Sequence, residues 1–296
     1  MSKLKHNIQR VMYRLFRRLK RYYLTRSARI DTQLFFLCVD IADKVMSPRK
    51  RSPQSIWKQL YFLRYGVHPL FEVDTDKSVA SESHDHQWPR GTIADNSINP
   101  RFNLKLYDHF LNRNDLRVLD LGCSGGGFVR SFLEDGYTAI GLEGSDASKK
   151  IRSAEWDTCP HHLFTCDIAA PFLIRDISGK KMTFHCLTSW EVLEHIPEDK
   201  IDVLLENIKN HLADDGIFVG SIDMAPDGNP ITGAVYHVTL QLESWWLERF
   251  ARAGLIPVLN HRFATQDYVR GHGMGLKDWD PADGDGFHVV LRKAFT

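Results

Sequence analysis

The chain has no long apolar run. Its longest, Leu34-Phe35-Phe36-Leu37-Cys38-Val39, is bounded by Asp31 and Asp40. It falls far short of the ~18 apolar residues a membrane-spanning helix needs, and it reads as a buried turn of helix. Cysteine is scarce: the five residues are scattered with no C-x-x-C pair. An odd count without a framework argues against a disulfide scaffold and fits free thiols in a reducing cytoplasm. There is no internal repeat and no low-complexity tract. Net charge is nearly absent too, at +1, so the total identifies no partner. What remains is ordinary for a soluble globular protein: 43% hydrophobic and 25% charged residues. A length of 296 residues allows one large domain with an appendage, or two domains.

The neutral total hides an asymmetry. Ten of the 38 basic residues precede the first acid, Asp31, leaving a balance of −9 over the remainder. Within that basic start Ile8, Val11, Met12, Leu15, Phe16, Leu19 and Tyr22 recur at three- and four-residue steps. They form one apolar stripe of a helix. A basic amphipathic helix reads as a peripheral membrane contact through residues 3–29. Packing on the chain's own domain or on a partner subunit is an equal reading. Nucleic acid is disfavoured because the acidic remainder would repel it. Arginines interrupt the apolar residues, so the start lacks the continuous core of a secretory signal. The expected location is cytoplasmic, with a peripheral position at a membrane surface as the variant. Ser47 to Pro53 reads as a linker.

The chain is organised around Arg117-Val118-Leu119-Asp120-Leu121-Gly122-Cys123-Ser124-Gly125-Gly126-Gly127-Phe128. An apolar strand ends at an acid, a glycine-rich turn follows, and a helix begins. Glycines permit a tight turn and close approach of a ligand, and the helix start presents free N–H groups. Alone, the turn is also what an ordinary strand-to-helix junction looks like. Tyr137 to Glu143 is a second strand ending in a carboxylate. Glu143 follows Asp120 by 23 residues, close to the ~20-residue spacing of an acid that binds ribose hydroxyls. His162 to Cys166 reads as a third strand, followed by Asp167.

With these pieces in order, the chain resembles the class I S-adenosylmethionine-dependent methyltransferases. The matching segments are Val118 to Gly126, Gly141-Leu142-Glu143, Cys166-Asp167-Ile168, and Thr188 to Pro197. The last segment is similar to the small-molecule branch that includes quinone and sugar O-methyltransferases. The resemblance covers residues 99–296. It implies an α/β, Rossmann-like, seven-stranded, mostly parallel sheet with an antiparallel last strand. Residues 1–98 would be a basic helical region and a polar loop.

It also implies roles. Gly122, Ser124 and Gly126 would let the backbone approach the methionine part of the cofactor, with Asp120 holding its amine. Glu143 would bind the ribose, and Asp167 with Ile168 would meet the adenine. Trp190 joins this cofactor set. Ser124 departs from the family, whose turn usually has glycine there.

For the reaction, Trp190-Glu191-Val192-Leu193-Glu194-His195 follows the fourth strand, Phe184 to Ser189. A helical turn there would put Glu191, Glu194 and His195 on one face. Methyl transfer to a hydroxyl needs alignment and removal of a proton. Histidine suits the latter, with an ordinary pKa of ~6.5. His195 is the first candidate base and His237, ahead of the helix Leu242 to Ala253, the second. Packing or capping histidines are the plain alternatives. In some relatives the Glu-x-x-Glu-His pattern accompanies a divalent cation. Glu191, Glu194 and His195 would hold it here, but the metal-free reading is preferred. Asp74 to Ser97, which contains His84-Asp85-His86, reads as a solvated loop in preference to a substrate lid.

The expected activity is O-methylation of a small molecule, a sugar or a lipid-linked glycan. A nicotinamide dehydrogenase would normally carry G-x-G-x-x-G where this chain has Gly122-Cys123-Ser124-Gly125. A nucleobase amino-methyltransferase would carry Asn/Asp-Pro-Pro-Tyr where it has Thr188-Ser189-Trp190-Glu191. A non-catalytic cofactor-binding scaffold is the other alternative.

Overall fold

The computed structural model describes residues 53–111, 113–229, 233–270 and 286–294. The basic stripe, the Leu34 to Val39 run, most of the linker and the glycine-rich segment after Arg270 lie outside the described residues. Among the described residues, no helix is long and apolar enough to cross a membrane.

Seven strands form the central sheet: β2 (Arg117–Leu121), β3 (Thr138–Glu143), β4 (Leu163–Thr165), β6 (Phe184–Trp190), β7 (Leu212–Asp223), β10 (Leu255–Pro257) and β11 (Gly286–Lys293). Their order is β10-β11-β7-β6-β2-β3-β4. Every pairing from β4 to β7 is parallel, and β11 runs antiparallel to both of its neighbours. This is the expected sheet. The chain winds outward from β2 through β3 to β4, then returns to build β6 and β7 on the other side. The crevice at that reversal, above the carboxyl ends of β2 and β6, is where open α/β sheets bind ligands.

Alternation along the strands supplies two cores. Val118, Ala139 and Cys186 face one, while Leu119, Leu121, Ile140, Leu142, Leu187 and Phe218 face the other. Burial on both faces is what helices on either side of a parallel sheet demand. The first core is roofed by α1 (Pro53–Tyr65), α4 (Pro100–His109) and α5 (Gly127–Glu134). Asn99 starts α4: its side chain accepts hydrogen bonds from the N–H groups of Arg101 and Phe102, as a helix cap should. The second core is covered by α7 (Ile201–His211) and α8 (Glu243–Arg252).

Three features differ from the sequence reading. A side sheet pairs β1 (Phe71–Thr75) antiparallel with β5 (Phe172–Asp176). Both strands are short, although β1 alternates apolar and polar residues with a period of two and its burial follows that period. Strand β7 begins at Leu212 and runs through the acidic pair Asp214 and Asp215, and its pairing with β6 shifts register between Phe184 and Cys186. Finally, the polar segment before residue 99 holds two short helices, α2 (His84–Gln87) and α3 (Arg90–Ala94), and is tied to the sheet.

The helix α1 belongs to the core rather than lying beside it. Trp57 and Tyr61 are buried with Phe102 and Phe132. The Tyr61 hydroxyl pairs with His162 Nδ1 at 2.7 Å and accepts from the His161 N–H at 3.0 Å. Burial holds the His162 ring neutral, its pKa pushed down to about 3. Tyr61→Phe removes the hydroxyl and strands both partners, at a cost of about 1–3 kcal/mol. Urea denaturation monitored by tryptophan fluorescence should show that loss with an unchanged m-value.

Candidate active site

The glycine turn after β2 is shaped by what packs against it. Gly122 has φ +80° and Gly126 φ +87°, a region glycine enters without steric cost. A Cβ on Gly122 would run into the Val192 side chain, and one on Gly126 would lie 2.5 Å from Leu163 Cδ1. Ser124 adopts φ +48°, a left-handed backbone that a non-glycine residue holds at a cost of about 1–2 kcal/mol. It is held there from both sides. Its N–H donates to Glu143 Oε2 at 2.8 Å, and its carbonyl accepts from the Trp156 indole at 2.8 Å.

Glu143, the last residue of β3, also accepts from the Ser145 N–H at 3.0 Å through Oε1. Asp120, one residue from the end of β2, accepts from the Thr188 hydroxyl at 2.7 Å. Both carboxyls are almost fully buried. Burial pushes each up to about 7, against the hydrogen bonds from Thr188 on one and from Ser145 and Ser124 on the other. Among the described residues, neither carboxylate has a lysine, arginine or histidine in an ion pair. Two buried acids without a counter-charge, beside backbone N–H groups, fit a ligand that carries positive charge and hydroxyls.

Asp167 lies just beyond β4. Its N–H donates to the Lys77 carbonyl, and its carboxylate accepts from the Ala169 N–H. Ile168 is buried beside it, and Asn207 of α7 clamps the Ile168 and Ala170 carbonyls at 3.0 and 2.8 Å. Trp190 ends β6 and packs edge-on against Phe102 and Phe128, in the core beneath the turn.

The segment after β6 is not the helical turn that was expected. Glu191 sits at φ +53° with its N–H on Ser221, and a single 3-10 turn covers Leu193–His195. Glu191 therefore does not share a face with Glu194 and His195. The residues that converge are Glu194, His195 and His237, which offer ligand atoms within 4.8 Å of one another. The two imidazoles meet edge to face with centroids 4.8 Å apart.

Each member of this group is held by its own partner. His237 Nδ1 lies 2.7 Å from the Ala225 carbonyl. A carbonyl only accepts, so Nδ1 carries the proton and Nε2 of the neutral ring keeps its lone pair. Glu194 is fully buried. Its Oε1 accepts from the Asp223 N–H at 3.2 Å, while Oε2 has no partner. Burial pushes its carboxyl up to about 8, against the attraction of His195. His195 Nδ1 lies 3.0 Å from Asp85 Oδ2. Burial alone would lower the His195 pKa and raise that of Asp85. Their mutual contact outweighs it, so His195 ends above its ordinary value and Asp85 below.

Asp85 comes from the segment read as a solvated loop, and the structure corrects that reading. The Ala80 N–H donates to the Gly144 carbonyl at 2.9 Å, and the Asp95 carbonyl accepts from the Gly125 N–H at 2.9 Å. His84 stacks on Tyr236 at 3.9 Å, and Arg270 pairs with Asp95. Asn96 reaches the buried Glu155, which also pairs with Arg130. Sequence reasoning missed Asp85 and Thr188 as site residues. The only local signal for Asp85 was a carboxylate between two histidines, which is common on solvated surfaces.

A doubly covered parallel sheet with an acid-rimmed glycine turn defines a Rossmann-like enzyme that binds a nucleoside cofactor. The sequence profile of the methyltransferase-domain family matches residues 96–266, more than half of the chain, and the chain belongs to that family: it is a class I S-adenosylmethionine-dependent methyltransferase. No curated protein sequence matches it.

Among solved structures, it is similar to a TehB-like S-adenosylmethionine-dependent methyltransferase from Corynebacterium glutamicum. The identity is 20% over 72% of this chain and 97% of that one, with a TM-score of 0.44. It is also similar to the 1,6-didemethyltoxoflavin-N1-methyltransferase of Burkholderia thailandensis, solved with 1,6-didemethyltoxoflavin and S-adenosylhomocysteine (17% identity over 73% and 85%, TM-score 0.43). A third likeness is the glycopeptide N-methyltransferase MtfA with S-adenosylhomocysteine (14% identity over 68% and 92%, TM-score 0.45). At this level of overlap they say nothing of this chain's acceptor.

The buried acids make stability depend on pH. In the unliganded protein Asp120 keeps its proton up to about 7, whereas unfolded it loses it near 3.9. The folded state therefore binds more protons in between, and stability falls as pH rises through that window before levelling off. Asp120→Asn should flatten the decline, measured as the urea midpoint between pH 4 and pH 8.

Proposed function

We propose that this methyltransferase acts on a hydroxyl of a small molecule, a sugar or a lipid-linked glycan. The observation that carries this reading is the imidazole pair, His195 and His237, beside the buried Glu194 at the carboxyl edge of the sheet. When bound, S-adenosylmethionine supplies a methyl group already activated by a sulfonium. The chain's own work is then to bind, align and accept a proton.

Asp120 and Glu143 place two carboxylates for an amine and for ribose hydroxyls. Ligand positive charge supplies the counter-charge that both acids lack. The turn from Gly122 through Ser124 to Gly126 brings backbone close to the methionine part, and Asp167 with Ile168 borders the adenine. Trp190 supports the turn from below. His195 takes the acceptor's proton, being held above its ordinary pKa by Asp85, and His237 lies beside it as the second imidazole.

A second reading places a divalent cation on Glu194, His195 and His237. The unpartnered Glu194 Oε2 favours it. So does the bond from His237 Nδ1 to the Ala225 carbonyl, since ligating histidines commonly hand their other nitrogen to a carboxylate or carbonyl. His237 here takes the place that the sequence reading gave to Glu191. Calorimetric titration with manganese separates the two: micromolar binding that Glu194→Gln abolishes supports the cation, and no heat supports the metal-free site.

The direct test is calorimetry with S-adenosylmethionine and S-adenosylhomocysteine. Both should bind at micromolar levels, and Glu143→Ala should weaken them at least about tenfold, or 1.4 kcal/mol. Methyl-labelled S-adenosylmethionine with a panel of phenols, catechols and sugars then reports on the acceptor. His195→Gln should reduce turnover by about 100-fold or more, the scale of a lost general base. Undiminished turnover would exclude His195 as the base.

A further inference from the structure

The segment from Ala80 to Ser97 is a strap across the site. At both ends it is fastened to donor-binding elements: Ala80 to Gly144, directly after Glu143, and Asp95 to Gly125 in the glycine turn. Asn96 is held by Glu155 at 3.3 Å. In between, His84 stacks on Tyr236, the neighbour of His237. Ser83 Oγ accepts from the Asp85 N–H at 3.2 Å and starts the turn that aims Asp85 inward. The Asp85 carboxylate ends 3.0 Å from His195 Nδ1.

We propose that Asp85 is a positioning residue: carried by this strap, its carboxylate lies 3.0 Å from His195 Nδ1, favours the proton on that nitrogen by its charge, and so leaves the Nε2 lone pair to face the acceptor. This rests on His195 acting at the site as read above. A neutral imidazole otherwise divides between two tautomers, and only one presents a lone pair at Nε2.

Several observations separate this contact from an incidental surface ion pair, which is worth little. The His195 side chain is 19% exposed and that of Asp85 39%, so the histidine end of the contact is the one withdrawn from water. The strap is fixed on both sides of Asp85 by backbone bonds and by the His84 stack. Both partners shift in the direction of mutual attraction although burial opposes each. The groups facing the pair are His84 and His237 around Asp85, and Glu194 and Asp227 around His195, while the Asp85 charge also bears on Glu143. One strap thus touches the donor turn and the acceptor-side imidazole together.

The test is the tautomer of His195, read by long-range proton–nitrogen NMR of the full chain labelled at histidine, above the pH where imidazoles titrate. The wild type should show the Nδ1–H form. In Asp85→Asn the amide can donate to Nδ1 and favour the opposite form, whereas Asp85→Glu should retain the native one. Calorimetry with S-adenosylmethionine checks that Asp85→Asn still folds and binds. With the acceptor panel, Asp85→Asn should lower kcat about 10–100-fold at an unchanged KM for S-adenosylmethionine, and Asp85→Glu should recover part of it. An unchanged His195 tautomer in Asp85→Asn overturns the proposal. Full turnover by His195→Gln would instead overturn the base assignment, whatever the tautomer shows.

Discussion

The contact on which the site depends is the bond from the Ser124 N–H to the Glu143 carboxylate. It joins the turn after β2 to the end of β3 and holds a serine in left-handed backbone. Around it the clearances are small: Val192 closes over Gly122, Leu163 over Gly126, and Trp156 reaches the Ser124 carbonyl. The turn is thus preformed by protein contacts, so its approach to a cofactor needs little rearrangement. Preorganisation of this kind lowers the cost of binding.

The same compactness buries charge. Asp120, Glu143 and Glu194 are carboxyls taken out of water without a cationic side chain to compensate them fully. A structure built only for stability would pair or replace them. Here the strain is confined to one edge of the sheet, with Asp120 and Glu143 beside the glycine turn and Glu194 close to the two imidazoles. Acids with raised affinity for protons cluster where function is performed.

The polar segment before the central domain links these two halves. Its composition, rich in histidine, aspartate and serine, is that of a solvated loop, yet its backbone is bonded to Gly144 and Gly125 and its side chains to Tyr236 and His195. The helix before it, α1, is a core element through Trp57 and Tyr61.

The sequence by itself determined the sheet and the placing of Asp120, Glu143 and the glycine turn at one edge of it. Strand alternation, an acid at each strand end and a glycine turn are local properties, written in neighbouring residues and enforced by backbone sterics. The second half was decided by the tertiary structure. His195, His237 and Asp85 come from three segments far apart in the chain, and no local pattern records that they meet. Even the local expectation failed at Glu191, because a left-handed residue and a 3-10 turn replaced the helical turn that would have aligned it with Glu194. Packing of Ser221, Asp223 and Ala225 at the end of β7 set that geometry, which sequence spacing does not encode.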